Sequence, residues 1–190
     1  MDKNLLNSPK PTIDYSTLLK LPDSDDVRCK QIIKEQLLSN QDVLYLLNAE
    51  NETLEIDDYF GKYVLPYYVI DETNTMVHNY LCYEISFDSV PVHNTFYKDM
   101  QIIFYICIDK KNVIEPTSGI ARHDLIAALI QRDINWSSCF GMQCSLVSDR
   151  PSTTDLNYVT RTLIFECTTP RNVSVSDEEG SHIVNFELWE

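Results

Sequence analysis

The sequence predicts a single α+β domain in which one helix packs on a small, mainly antiparallel sheet. Two observations favour this class: strand-like segments occur as a pair before and a pair after the strongest helical pattern (β-β-α-β-β), and helical segments precede them all. The length of 190 residues is typical of one domain. With 44% hydrophobic and 23% charged residues, the chain has enough apolar material for a sizeable core.

The single domain, 1–190, divides into four segments by composition. These are an extended N-terminal arm (1–26), a helical segment (27–58), an α+β core (59–170) and a C-terminal hairpin arm (171–190). The arm is polar and contains three prolines, which disfavour regular structure.

Two N-terminal helices are predicted after the arm. An aspartate at its end can cap a helix that extends to about Leu38, where apolar residues recur at helical spacing. Ser39 or Asn40 can cap a second helix over 41–48. An acidic connection, 49–58, leads from there into the sheet.

Three segments before the central helix have strand character. Residues 63–70 are β-prone but contain Pro66, which favours an edge strand or an extended crossing. Residues 79–87 alternate between apolar and polar. Residues 100–108 alternate as well, but both of their faces carry apolar residues, so we expect a central strand or one whose second face meets another subunit.

The clearest helix covers residues 119–134. Its apolar stripe includes Leu125, Ile126 and Leu129, and Thr117 or Ser118 can cap its start. We expect this stripe to pack against the apolar face of 100–108, because each surface must be buried against another element.

Two further strands and a hairpin complete the prediction. The strands cover 140–147 and 158–167, with a turn-rich connection between them. Residues 172–189 then predict a hairpin with its turn at 177–180. A lone hairpin is marginal in water, so we expect this one to dock on a neighbouring subunit, as the N-terminal arm would.

Composition argues against several function classes. The chain has neither G-x-G-x-x-G nor G-x-x-x-x-G-K-[ST], the glycine patterns of nucleotide-binding loops. Its 15 basic and 29 acidic residues give a net charge of -14, the wrong sign for gripping nucleic acid or an anionic membrane. A surface past which DNA slides without adhering is compatible with this charge.

The cysteines predict reduced thiols rather than disulfides or a metal site. The sequence begins MDKNLLNSPK, without the apolar core of a signal peptide, and no run approaches a membrane span. Cys82, Cys107 and Cys167 lie in strand-like runs, where buried free thiols are usual. Cys139 and Cys144 form a C-x4-C pair, but a zinc site needs four ligands and no second pair accompanies them.

No catalytic, cofactor-binding or metal-binding residue is predicted. His123 and Asp124 are adjacent on a helix and point about 100° apart, so we do not expect them to act together. Asp124 in the first turn suits the helix dipole. A nucleophile pair of His123 with Cys139 or Cys144 stays open, although nothing local supports it.

Arg161 interrupts an otherwise apolar strand face. A buried arginine needs a carboxylate partner. One interpretation is an ion pair across a subunit boundary, and the other is simple exposure at a strand edge.

One stretch resembles the tail-terminator and neck (head–tail joining) proteins of tailed bacteriophages. It runs from MQIIFYICID through SGIARHDLIAALIQRDINWSSCFGMQCSLVSDRP to NYVTRTLIFEC. The matching pieces are an I-x-F-x-I strand at Ile102 to Ile108, an R-x-D-x-I helix at Arg122 to Ile126, Phe140 with Gly141, Pro151, and a Y-x-x-R-x-L-x-F strand at Tyr158 to Phe165.

The resemblance implies a structural protein of the virion that is not an enzyme. Such a subunit would form a homo-oligomeric ring, six-fold in a tail terminator, at the neck or tail end. Its partners would be tail tube or sheath proteins and neck or connector proteins, and genomic DNA would pass through without specific binding. It would reside in the virion, and in the host cytoplasm during assembly. The alternatives are a small hydrolase or nuclease, or an accessory binding protein that forms no ring.

Overall fold

The computed structural model describes most of the α+β core and the helices before it. The described residues are 25–49, 52–68, 78–87, 97–152, 157–170, 173–177 and 180–184. The predicted arm lies outside them except for Asp25 and Asp26, which belong to the first turn of a helix and not to the arm.

The described residues confirm the α+β class. They form the helices α1 (Asp25–Ser39), α2 (Gln41–Leu47) and α3 (Arg122–Ile134), with short 3-10 turns at Ile56–Tyr59 and Lys110–Asn112. The strands are β1 (Val64–Leu65), β2 (Tyr80–Phe87), β3 (Tyr97–Asp109), β4 (Ser145–Ser152), β5 (Tyr158–Pro170), β6 (Val173–Asp177) and β7 (Gly180–Val184).

Five strands form the main sheet in the order β1-β2-β3-β5-β4. Strand β1 is parallel to β2, and all other neighbours are antiparallel. Strand β3 is therefore central, as its two apolar faces predicted. Strands β6 and β7 pair separately, in agreement with the predicted terminal hairpin.

The core lies between the sheet and the helices. On β3, Ile102, Phe104, Ile106 and Ile108 are fully buried, and α3 packs against β3 and β5. The buried stripe of α3 is Ile126, Ala127, Ile130 and Ile134. Leu125 and Leu129 pack at the margin of this core, so the predicted packing is right in outline but the centre of the stripe is shifted.

One helix cap is confirmed and another is wrong. Asn40 caps α2, and its side-chain oxygen accepts from the Val43 N–H at 3.2 Å. Helix α3 begins later than predicted, after Ala121, and that residue makes no side-chain cap. The backbone N–H groups of Thr117 and Ser118 bind Glu115 instead.

Strand β4 differs most from the prediction. It covers Ser145–Ser152, so the SDRP sequence expected in a turn continues the strand. A proline is tolerated there because β4 is the edge strand and needs no donor on its free side. The register shifts between Leu146 and Ser148, which marks a bulge.

Candidate interaction surfaces

The sheet has a face that the helices do not cover, here called the outer face. Across β2, β3, β5 and β4 the register aligns one row on this face: Glu84, Ile103, Ile164 and Ser148. On β3 and β5 these residues alternate with buried ones, as a pleated sheet requires.

Apolar side chains occupy the middle of the outer face. Ile103, Ile164 and Tyr105 are each partly exposed, and the Tyr68 ring lies 4.4 Å from the Tyr105 ring, centroid to centroid. Partial burial, together with the nearby Glu84 carboxylate, raises the pKa of the Tyr105 hydroxyl. An apolar centre within a polar surround is the usual anatomy of a protein–protein contact.

The two edges of the sheet are poorly suited to adding a strand from another chain. Strand β1 has only two residues. Strand β4 carries a bulge, the exposed Arg150 and Pro151. Short edge strands, bulges, charges and prolines are the means by which proteins block edge pairing.

A groove lies on the opposite, helical side, between α2 and α3. It has a volume of about 310 Å³, and its apolar lining comes from Tyr45, Leu46, Leu125, Ala128 and Leu129. Tyr45 is 51% exposed. We call this the helix groove. Leu125 and Leu129, which lie at the margin of the core, form the α3 wall of the helix groove.

Glu115 fixes the loop that leads from the sheet into α3. Its carboxylate accepts from the backbone N–H groups of Thr117 (2.9 Å) and Ser118 (2.6 Å) and from the Tyr45 hydroxyl (3.2 Å). These bonds, first among them those of Ser118, lower the pKa of Glu115 to about 2. Glu115 is not among the residues predicted from the sequence, although E-P-T-S-G is a recognisable turn sequence.

Arg161 forms an ion-pair network within the chain, not across a subunit boundary. Its Nε and Nη2 each donate to Asp149 at 2.7 Å, and Nη1 donates to Asp124. Gln131 from α3 donates to the same Asp149 carboxylate at 2.9 Å. The side chain is 22% exposed, so simple edge exposure is wrong as well.

The adjacent residues His123 and Asp124 do approach each other. The distance from His123 Nε2 to Asp124 Oδ1 is 3.4 Å, which corrects the expectation that their directions keep them apart. Asp124 lies in the first turn of α3, as predicted, but its carboxylate is held by Arg161.

Two further arginines, both on α3, make structural contacts. Arg122 is buried and donates to the Leu46 carbonyl at 3.2 Å, joining α3 to the end of α2. Arg132 is exposed and pairs with Asp133 at 2.7 Å.

All six cysteines are free thiols, and five of them are buried. Cys139 and Cys144 lie in the loop between α3 and β4, and Cys144 immediately precedes the first residue of β4. Among the described residues, no group of three or more His, Cys, Asp or Glu side chains is arranged to hold a metal ion. The sequence-based expectation that the protein binds no metal stays a prediction.

An exposed acidic surface lies at the first 3-10 turn. Glu55, Asp57 and Asp58 are exposed there within five residues of chain. No helix in the described part of the chain has the length and apolarity needed to cross a membrane.

Comparison with known proteins identifies the family. No curated protein matches the chain. The YomW family matches residues 40–167, from the cap of α2 to near the end of β5, which is more than half of the chain. This span includes the main sheet and both surfaces described above. YomW proteins are phage-derived, of the SPbeta-like prophage type, which agrees with the phage origin that the sequence resemblance implied. The chain therefore belongs to the YomW family.

Proposed function

We propose that this YomW-family protein is a structural subunit of a tailed-phage particle that forms a ring at the neck or tail end. In this role it joins head to tail, acts without catalysis, and is found in the virion and, during assembly, in the host cytoplasm. The observation that carries the proposal is the presence of two unlike apolar surfaces, the outer face and the helix groove, on opposite sides of one domain.

Two unlike surfaces suit a head-to-tail interface. A symmetric dimer buries the same patch on both partners, whereas a closed ring joins one patch to a different patch on the next subunit. The occupant that we assign to the outer face is the helix groove of a second copy. Ile103 and Ile164 on one side and Leu125 and Leu129 on the other supply the apolar contact.

The sheet edges support a contact between faces. Because β1 is short and β4 is bulged and contains Pro151, extension of the sheet into a neighbour is unfavourable. The predicted arms would add to the contact from the two ends of the chain. We therefore expect deletion of 172–190 to weaken assembly while the central fold persists.

The charge suits a channel for DNA. A net charge of -14 repels a polyanion, so genomic DNA would pass without specific binding. The exposed carboxylates of Glu55, Asp57 and Asp58 are the candidates for the channel wall. The axial partners would be tail tube or sheath proteins on one side and neck or connector proteins on the other, in a six-fold ring.

The particle itself tests this function. Phage particles induced from a host that carries the gene should contain the protein, and the I103K variant should yield separate heads and tails in electron micrographs. Val27→Lys is the matched control, because Val27 is an exposed apolar residue of α1 outside both surfaces. Joined particles that lack the protein, or normal joining with I103K, would contradict the proposal.

A further inference from the structure

The loop between α3 and β4, here called the tryptophan loop (residues 135–144), holds an indole in solvent. Trp136 is 66% exposed, and its φ of 66° is a backbone region that a bulky residue adopts at a cost. Its N–H donates to the Cys144 carbonyl at 2.8 Å, and its carbonyl accepts from Gln143 Nε2 at 3.3 Å. Strained backbone persists where the surrounding structure holds it, and such outliers cluster at binding sites.

The surface around Trp136 carries no charge. Residues 134–148 contain no acidic or basic side chain, in a chain of which 23% of the residues are charged. Met142 in the loop and Val147 at the bulge of β4 are also exposed. Depletion of charge with enrichment of tryptophan and methionine is the composition of an interface centre. Tryptophan is also among the residues that dominate binding energy there.

An acidic cavity adjoins the tryptophan loop. It measures about 400 Å³ and is lined by Gln143 of the loop and by Asp99, Gln101 and Glu166 of the sheet. Thr168 Oγ1 donates to Asp99 at 3.0 Å, and Gln101 Nε2 donates to Glu166 at 3.2 Å. Within the described ranges, neither carboxylate pairs with a lysine or an arginine. Their negative charge is therefore available to a basic side chain of a partner.

The cavity continues the outer face of the sheet. In the β3–β5 register Gln101 pairs with Glu166, and Ile103 pairs with Ile164. Side chains two residues apart on a strand point to the same side, so both pairs lie on the outer face. A copy seated on the outer face would therefore lie next to the cavity.

The N-terminal arm has the composition that fits this site. Residues 3–13, which lie outside the described residues, carry two lysines and no acidic residue, although the net charge of the chain is -14. Lys10 stands between Pro9 and Pro11, and a residue before proline is restricted to extended backbone. Proline-rich extended segments bind aromatic surfaces at a low cost in entropy. In contrast, residues 171–190 carry one arginine and five acidic residues, which the cavity would repel.

The arm leads into the side of the domain that carries the helix groove. It precedes Asp25, which is buried at the start of α1 and pairs with Lys98 at 2.9 Å. Helix α1 packs on the helical side, where the Tyr83 hydroxyl donates to the Lys30 carbonyl at 3.2 Å. When the groove of one copy meets the outer face of the next, the arm therefore starts close to that contact. Residues 14–24 can span about 35 Å when extended, which gives 3–13 the reach to the neighbour's cavity.

We propose, on the basis of the ring proposed above, that residues 3–13 of one copy dock on the acidic cavity and the tryptophan loop of the next copy. Lys10 enters the cavity and pairs with Asp99 and Glu166, while Pro9 and Pro11 pack on the Trp136 indole. The exposed indole is thereby covered in the assembly, and the arm fastens two copies to each other.

Cross-linking of the full chain with a carbodiimide, which joins lysines directly to carboxylates, tests where Lys10 lies. Ordinary chains and chains labelled with heavy nitrogen are mixed while dilute, concentrated until they assemble, cross-linked and cut with trypsin. Cleavage places Lys10 in 4–20, Asp99 in 99–110 and Glu166 in 162–171. We expect 4–20 to be joined through Lys10 to either of the other peptides, with labelled and unlabelled peptides joined to each other.

Lysine variants of the arm provide a matched comparison. Lys10→Gln should remove the link and weaken assembly several-fold, whereas Lys3→Gln should do neither. Lys10→Arg, which keeps the charge but does not react with the carbodiimide, should lose the link and assemble normally. Equal assembly of Lys10→Gln and Lys3→Gln would overturn the proposal.

The fluorescence of Trp136 reports whether its indole is covered. The chain has two tryptophans, so Trp189→Phe leaves Trp136 as the single emitter. On assembly we expect its emission to move to shorter wavelength. Replacement of Pro9 and Pro11 by alanine should abolish this shift with unchanged circular dichroism. An emission that does not move on assembly would contradict the docking.

The mass of the assembly, measured by light scattering, separates the docking from the ring itself. Assembly without links from Lys10, or with links only inside one chain, would overturn the docking and leave the ring standing. Links between labelled and unlabelled chains in a species of only two copies would support the docking and count against the ring. A single-chain mass at every concentration would overturn both.

Discussion

Arg161 on β5 and Asp149 on β4 are joined by two hydrogen bonds of 2.7 Å in a side-by-side arrangement. The same guanidinium binds Asp124 on α3, so one side chain connects the edge strand, its neighbour and the helix. Bidentate pairs of this kind fix geometry as well as contributing energy.

Replacement of Arg161 by Met should destabilise the fold. The change leaves two carboxylates without their cation, and we expect the free energy of unfolding to fall by about 2–3 kcal/mol. Urea denaturation followed by circular dichroism measures this. Arg132→Met is the control, because its exposed pair with Asp133 is screened by solvent and should contribute little to stability. Equal losses in the two variants would contradict the assignment.

The same pair makes stability depend on pH. Its hydrogen bonds to Arg161 lower the pKa of Asp149 below its ordinary value. A group with a lowered folded-state pKa stabilises above its unfolded pKa, and that contribution is lost as pH falls through the folded value. Stability should therefore decline below about pH 4, and less steeply in Asp149→Asn. An identical loss of stability at acid pH in the two proteins would contradict this expectation.

Glu115→Gln should also reduce the sensitivity of stability to acid, over an overlapping pH range. The pKa of Glu115 is about 2 in the folded protein, against an ordinary value of 4.5. Its contribution to stability is therefore fully present above pH 4.5 and is lost as the pH falls from 4.5 to about 2. Thermal unfolding across this range should show a flatter profile in the variant. Glu55→Gln, a change at an exposed carboxylate outside this loop, should leave the profile close to that of the original chain.

Phe104→Ala should test the core. Phe104 is fully buried and contacts Phe165 edge-to-face, with ring centroids 5.9 Å apart. Loss of the ring should reduce the free energy of unfolding by about 3–5 kcal/mol, because a cavity replaces it. A loss below about 1 kcal/mol would be inconsistent with the packing described.

Trp136→Gly should leave the isolated fold intact or stabilise it. Trp136 is 66% exposed and has a φ of 66°, a backbone region that a bulky residue adopts at a cost. Glycine relieves this strain, so we expect a change within about 1 kcal/mol of zero or in favour of stability. Chemical denaturation measures it, and a loss above about 2 kcal/mol would mean that the indole supports the fold.

Local sequence patterns predicted the fold well where one periodicity dominated. Alternation placed β2 and β3, and apolar spacing placed α1 and α3, because each element buries one face. The C-terminal strand pair followed from its turn sequence. The start of α3 was misplaced because Glu115, not a hydroxyl cap, holds the preceding backbone.

Pairings between residues far apart in the chain could not be predicted from the sequence. Asp149 was assigned to a turn because of Pro151, so the carboxylate partner of Arg161 could not be identified. The outer face was anticipated from the apolar alternation of β3, but the helix groove depends on how α2 meets α3, a tertiary contact that no local pattern encodes.

Light scattering coupled to size-exclusion chromatography tests most directly whether the outer face and the helix groove join copies of this chain. Over a series of rising concentrations, we expect the mass of the protein to exceed the single-chain value of 22.0 kDa. I103K and L129K, one on each surface, should each remain at the single-chain mass with unchanged circular dichroism, while Val27→Lys assembles normally. A single-chain mass for every protein at all concentrations, or assembly unaffected by either surface variant, would contradict it.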